Sequence, residues 1–106
     1  DRVNVARLVV YIRRQLDRLV KPYLFEPNDQ QTRNEVKKQV ESFFSELVSL
    51  RGLYDFLVVC DDSNNTPERI DRNELYVDIA IKPVKAIEFI YIPIRVVNTG
   101  TIKAIN

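Results

Sequence analysis

Between Val5 and Val20 the apolar residues recur at helical spacing, with Val5, Leu8, Val9, Ile12, Leu16, Leu19 and Val20 in register. At about 100° per residue they form one broad stripe, and Arg7, Arg14, Arg18 and Lys21 gather within about 60° of one another on the opposite side. The stripe is expected to face a core. The basic row is either an ordinary solvated face or a contact surface. Pro22 has no N–H to continue the ladder and ends the helix. In "FEPNDQQTRNE" Pro27 fixes a turn, and Asn28 to Gln31 and Thr32 to Glu35 both have capping-box spacing, so two helix starts are open. The second helix runs to Arg51 with Val36, Val40, Phe43, Phe44, Leu47 and Leu50 on its apolar side, and Gly52 supplies a left-handed stop. Two antiparallel helices follow.

After Gly52 the period changes to 2. Tyr54, Phe56, Val58 and Cys60 alternate with Asp55, Leu57 and Val59, and Leu75, Val77, Ile79 and Ile81 alternate with Tyr76, Asp78, Ala80 and Lys82. A third run, "AIEFIYIPIRVV", is apolar on both faces but contains Pro93, which cannot donate to a sheet ladder. Either Pro93 lies on an edge or the strand changes partners there. The expected class is α+β, two antiparallel helices packed on a small, mostly antiparallel sheet. So few strands leave open edges, which another chain can complete. The 14 residues of "PIRVVNTGTIKAIN" are long enough to do so, reaching about 46 Å at ~3.3 Å per residue. The expected division is a domain over 1–92 and an arm over 93–106, with Ile94, Val96 and Val97 linking subunits; the alternative is that these residues finish the domain's own third strand.

The segment between the first two strands, "CDDSNNTPERIDRN", is crowded with carboxylates and amides and invites a test for chemistry. An EF-hand register starting at Asp61 puts Thr66 where the sharp-turn glycine belongs and Arg72 where the bidentate ligand belongs. The Asp61–Asp62 pair alone is an ordinary strand-end feature. The chain has no histidine, its one cysteine has no evident base, and Gly52 and Gly100 form no phosphate loop. No catalytic residue, cofactor or metal ligand is therefore expected. Asn64, Asn65, Thr66 and Asp71 can instead bond nearby backbone, with Pro67 stiffening the crossing, which makes the loop a scaffold.

Length and charge narrow the remaining options. A chain of 106 residues with 45% hydrophobic content makes one domain with a modest core. It has no methionine and opens on Asp1-Arg2, so it is expected to be part of a longer polypeptide. The net charge of +1 is uneven: Arg2, Arg7, Arg13, Arg14, Arg18 and Lys21 against Asp1 and Asp17 give +4 over residues 1–21, leaving −3 elsewhere. A basic helix over a small sheet also suits a nucleic-acid-binding module, the alternative function, although no stacking platform accompanies it. The apolar runs are too short for the ~20 residues a membrane span needs, so no membrane partner is expected. Cys60, alone in an apolar run, reads as a core position.

The stretches "FEPND", "YDFLVVCDDSNNTPERIDRNELYVDIAIKP" and "AIEFIYI" together resemble the C-terminal domain of contractile tail sheath proteins of T-even-type bacteriophages. The likeness runs from about Arg7 to Gly100. It implies a structural, non-enzymatic virion protein of the phage tail, present in the host cytoplasm during assembly, that forms a helical homo-oligomer of stacked rings around the tail tube. In that family the sheath contracts and drives the tube through the host envelope, leading to genome ejection. Carried over, the resemblance implies that the partners are neighbouring sheath subunits and the tail tube protein, with no nucleic acid and no membrane. It marks Arg7, Arg14, Arg18 and Lys21 as tube-contact candidates, with Arg33, Lys37 and Lys38 of the second helix as rivals. Asn64, Asn65, Thr66, Pro67, Ile70, Asp71, Arg72 and Asn73 occupy the family's signature loop, expected to be structural, with Asp71 holding the following strand in register. Terminal arms of neighbouring subunits are expected to complete the sheet edges.

Overall fold

The computed structural model describes the backbone of residues 2–97 and 101–104. Helix α1 (Arg2–Val20) buries Ile12, Leu16 and Val20 and gives way to a 3-10 turn, Lys21–Tyr23, where Pro22 sits in the first turn. The chain folds back there. Helix α2 (Gln30–Ser49) returns antiparallel to α1, with the Tyr11 and Phe43 rings 6.3 Å apart, and buries Val36, Val40 and Phe44. Phe44 stacks on Phe56 at 5.5 Å, which joins the helical layer to the sheet.

The sheet holds β1 (Leu53–Val59), β2 (Glu74–Pro83), β3 (Ile90–Val97) and β4 (Thr101–Ala104) in that order, each pair antiparallel. A short helix, α3 (Pro67–Asp71), lies in the β1–β2 connection. The alternation read in β2 is the observed one, since Leu75, Val77, Ile79 and Ile81 face the helices. Leu53, Val58 and Cys60 from one side and Ile92, Ile94 and Val96 from the other complete that face. Among the described residues no helix is long and apolar enough to cross a membrane.

Local backbone chemistry moved several expectations. Tyr54 is exposed rather than on the core face, because a register shift between Leu53 and Asp55 makes it the extra residue of a bulge. Neither Asn28 nor Thr32 caps α2. Asp29 does, accepting the Thr32 N–H at 2.8 Å, while Asn28 is drawn inward by other partners. Leu50 lies beyond the last turn and is exposed. Gly52 is not the left-handed residue that ends α2; Arg51 is, at φ 63°. The Arg51 N–H bonds Val48 O at 3.0 Å and the Gly52 N–H bonds Leu47 O at 2.8 Å, a Schellman pair with its glycine one position late.

Pro93 does not mark a departure from this chain's sheet. β3 passes through it without interruption, and Ile94, Val96 and Val97 lie opposite Val77, Leu75 and Glu74. Burial of Ile92, Ile94 and Val96 on the core face holds the strand in place. The chain's own sheet thus runs on through Val97 and again in β4, past residue 92. β4 covers only Ile94–Val97, so no strand of the described residues lies opposite Pro93 on that side, the setting in which a sheet tolerates proline. Of the expected arm, residues 98–100 and 105–106 lie outside the described residues.

The left-handed Arg51 generates a prediction. An L-residue there costs roughly 1–2 kcal/mol, against which glycine loses roughly 0.5–1 kcal/mol of extra chain entropy. Arg51→Gly is therefore expected to raise stability by about 0.5–1 kcal/mol, read as a higher thermal midpoint; a lower midpoint contradicts this account of the α2 stop.

Candidate functional site

The amide-rich loop solves a pairing problem. β2 begins at Glu74, but β1 ends opposite Asp78, so the first residues of β2 have no strand beside them on the β1 side. Those polar groups are buried and need partners. Asn65, only 2% exposed, provides them: its Oδ1 accepts the Tyr76 N–H at 2.8 Å and its Nδ2 donates to Tyr76 O at 3.1 Å. One side-chain amide thus does for Tyr76 what a neighbouring strand would do. Asn64 Nδ2 reaches Val59 O at 2.8 Å, Asp78 Oδ2 at 2.9 Å and Tyr76 O at 3.2 Å, tying the end of β1 to β2.

Asn28 extends the same edge, donating from Nδ2 to Glu74 O at 2.7 Å and to Asn65 Oδ1 at 3.0 Å. Its own Oδ1 accepts from Arg33 at 2.8 Å, and Arg33 pairs with Asp62 at 2.8 Å. The loop, the α1–α2 turn and α2 are thereby bolted to one strand end. Arg33 is buried in this role, so the rival basic face on α2 loses its first member and keeps Lys37 and Lys38.

The remaining signature residues shape backbone. Asp61 accepts from the Ser63 hydroxyl and N–H, which holds its carboxyl below the ordinary range. Thr66 caps α3, Pro67 opens it, and Ile70 is half-buried. Asn73 takes the left-handed conformation at φ 58° that follows α3. Asp71 does not hold β2 in register: it is exposed and takes no side-chain hydrogen bond among the described residues. Arg72 instead reaches across to Glu74 at 3.2 Å.

Glu74 anchors a second cluster that sequence reading missed. Its carboxylate receives Tyr76 OH at 3.0 Å, Arg72 and, at 3.4 Å, Arg95. Burial pushes this acid's pKa up, but the bonds from Tyr76 and Arg72 and the charge of Arg95 outweigh it and hold the carboxyl below its ordinary 4.5. Arg69 lies over the Tyr76 ring at 3.8 Å and donates to Asn64 O at 2.6 Å. The alternation of Glu74 and Tyr76 on one strand face was the available signal, but nothing in the sequence tied Arg95 to them.

Among the described residues no group of three or more His, Cys, Asp or Glu side chains is placed to hold a metal ion. Cys60 is buried, and burial pushes its thiol up to about 12, far from a reactive thiolate. The other candidate surface is α1 with the 3-10 turn that follows it, where Arg7, Arg14, Arg18 and Lys21 are all exposed. Among the described residues none of the four lies within ion-pair distance of a carboxylate.

Asn65→Ala, which strips buried partners from Tyr76, is expected to cost about 1–3 kcal/mol in a denaturation melt. Asp71→Ala should stay within about 0.5 kcal/mol, and a chelator should leave the parent melt unchanged. Glu74 adds a pH dependence. Its folded pKa is depressed, so its contribution is present above about 4.5 and is lost as pH falls through the folded value. The thermal midpoint should drop on acidification below 4.5, and less steeply in Glu74→Gln, which keeps the shape but does not titrate.

The network lies within the stretch of the chain that matches known proteins. The model of the phage tail sheath C-terminal domain family matches residues 1–97. The tail sheath protein of Vibrio phage KVP40 is 42% identical over 90 residues, 85% of this chain and 13% of that protein. That of Enterobacteria phage T4 is 38% identical over 101 residues, 95% of this chain and 15% of its own length. The tail sheath protein of Salmonella phage ViI is 32% identical over 98 residues, 92% and 16% of the two chains. This chain thus spans about a sixth or less of the relatives it matches, and no solved structure matches it significantly. With the family model covering its helices, its amide-bolted loop and its first three strands, the chain belongs to the phage tail sheath C-terminal domain family.

Proposed function

We propose that this domain is a structural, non-enzymatic part of a contractile tail sheath subunit that rests on the tail tube and keeps neighbouring subunits joined while the sheath contracts. The observation that carries the reading is the segregation of charge on α1. Its outward face holds Arg7, Arg14, Arg18 and Lys21 exposed and free of ion pairs among the described residues, whereas Arg33 on α2 is buried. A tube exterior with acidic residues would meet that face through screened ion pairs of about 0.2–1 kcal/mol each. Repetition around every ring makes such contacts sufficient in sum, and their individual weakness lets the surface release on contraction.

The subunit link belongs at the β4 edge. β4 is a four-residue strand that covers only half of β3, and the Arg95 Nε donor beneath it is buried without a partner among the described residues. Both features favour an edge that a neighbour's chain completes by strand addition. A neighbour's strand would then pair with the outer edge of β4 and with the half of β3 that β4 leaves uncovered, Ile90–Pro93. In this reading the protein is a tail component of the virion, made and assembled in the host cytoplasm, with other sheath subunits and the tube protein as its partners.

Electron microscopy of tails built from the full-length sheath protein tests both parts. Reversing charge with Arg18→Glu and Lys21→Glu should block sheath growth on tubes while the protein stays folded. Truncation after Val97 should leave a folded protein that no longer forms stable sheath. Normal extended tails from either variant remove the corresponding contact.

A further inference from the structure

An uncovered strand edge is a template for another strand, and what it offers depends on which way each backbone group points. One observed pair fixes those directions here. The Tyr76 N–H and C=O both bond Asn65 on the β1 side. Backbone groups alternate in direction along a strand, so Leu75, Val77, Ile79 and Ile81 turn theirs toward β3. The β2–β3 register runs without a shift and sets Val96, Ile94, Ile92 and Ile90 opposite them. Tyr91, Pro93 and Arg95 therefore point their backbone groups away from β2, Arg95 toward Lys103 of β4 and the other two at an open edge.

Pro93 thus gives up no bond to β2, and what it removes is a donor on the uncovered half of β3. Along Ile90–Pro93 that edge offers the Tyr91 N–H and C=O and the Pro93 C=O, with no second N–H. On β4, by the same alternation, the outward groups belong to Ile102 and Ala104, both of which keep donor and acceptor. The opposite edge of the sheet is blunted by other means. There the register shifts between Leu53 and Asp55, and the outward N–H of Phe56 is taken by Asp55 Oδ1 at 2.8 Å. Tolerance alone explains a proline at one edge position, but not two different devices at the two edges of one sheet.

We propose that Pro93 is a gatekeeper for strand addition: it leaves the uncovered half of β3 too poor in donors to pair with an unassembled copy, so a neighbour's strand joins there only when the lattice already holds it beside the edge. The inference rests on the reading that subunits are joined at this edge. Two free copies meeting along Ile90–Pro93 gain one complete residue pair, at Tyr91, which does not offset the motion lost on association. A strand already anchored nearby meets the edge at high effective concentration and needs no more than the bonds that Tyr91 and the Pro93 carbonyl supply. The residue thereby discriminates assembled from free partners.

Polymerisation of the full-length sheath protein without tubes tests this. Pro93→Val restores the donor without touching a β2 bond, so the thermal midpoint of the soluble protein should hold. The lowest concentration that gives polymer, read by sedimentation, should fall about fivefold, the effect of one added backbone bond. An unchanged or higher threshold overturns the proposal. So does unfolding of both Pro93→Val and Pro93→Ala, because the proline would then serve the fold and not the edge. Tyr91→Pro separates this inference from the reading beneath it. It removes the remaining outward N–H and should raise the threshold and reduce sheath on tubes, whereas Tyr91→Phe, which gives up only the 2.6 Å bond to Asp78, should do neither. Loss of sheath in Tyr91→Pro with no response to Pro93→Val leaves the joined edge standing and removes the gatekeeper. No response to either variant removes the β3 half of the joint together with the gatekeeper.

Discussion

The connection between β1 and β2 depends on the side-chain amide of Asn65 pairing with the backbone of Tyr76. β2 is longer than β1, and a buried strand end without a neighbour leaves unpaired N–H and C=O groups that cost about 1–3 kcal/mol each. An amide is the one neutral side-chain group with both a donor and an acceptor in the plane of a peptide, so asparagine can replace a missing strand where aspartate or serine cannot. Asn64 and Asn28 extend the substitution to Val59, Asp78 and Glu74. The edge of β2 is closed by side chains instead of by another strand.

This closure also gives several of the loop's carboxylates structural partners. Asp61 turns back to Ser63 and Asp62 to Arg33, each satisfied at hydrogen-bond distance. Glu74 is held by Tyr76, Arg72 and Arg95. Such an arrangement fixes the backbone between β1 and β2. The surfaces proposed for partners are the outer face of α1 and the edge formed by β3 and β4.

In the proposed role those surfaces divide by chemistry in a way that would suit a contractile lattice. A row of screened charges is weak and reversible, whereas an added strand brings a ladder of backbone hydrogen bonds. A subunit that must slide off one partner while holding another benefits from contacts of unequal strength. The two-layer body between them is fastened by Phe44 on Phe56 and by the Arg33 bridge to Asp62.

The sequence by itself determined the α+β class, the two helices, the core faces of α1 and β2, and the family. These follow from period and local chemistry: Leu75, Val77, Ile79 and Ile81 can only share a face, and Pro22 can only end a helix. Tertiary structure decided which of several local options each residue took. Asn28 has the right chemistry to cap α2, but the buried Glu74 carbonyl, 46 residues away, claimed it and left the cap to Asp29. Arg33 looked like surface charge until Asp62 and Asn28 enclosed it. Tyr54 lost its place in the alternation to a bulge, and Ile94 and Val96 were kept in β3 by the core beneath them. In each case the deciding partner is distant along the chain, and a buried polar group or an open core position costs more than any local preference can offset.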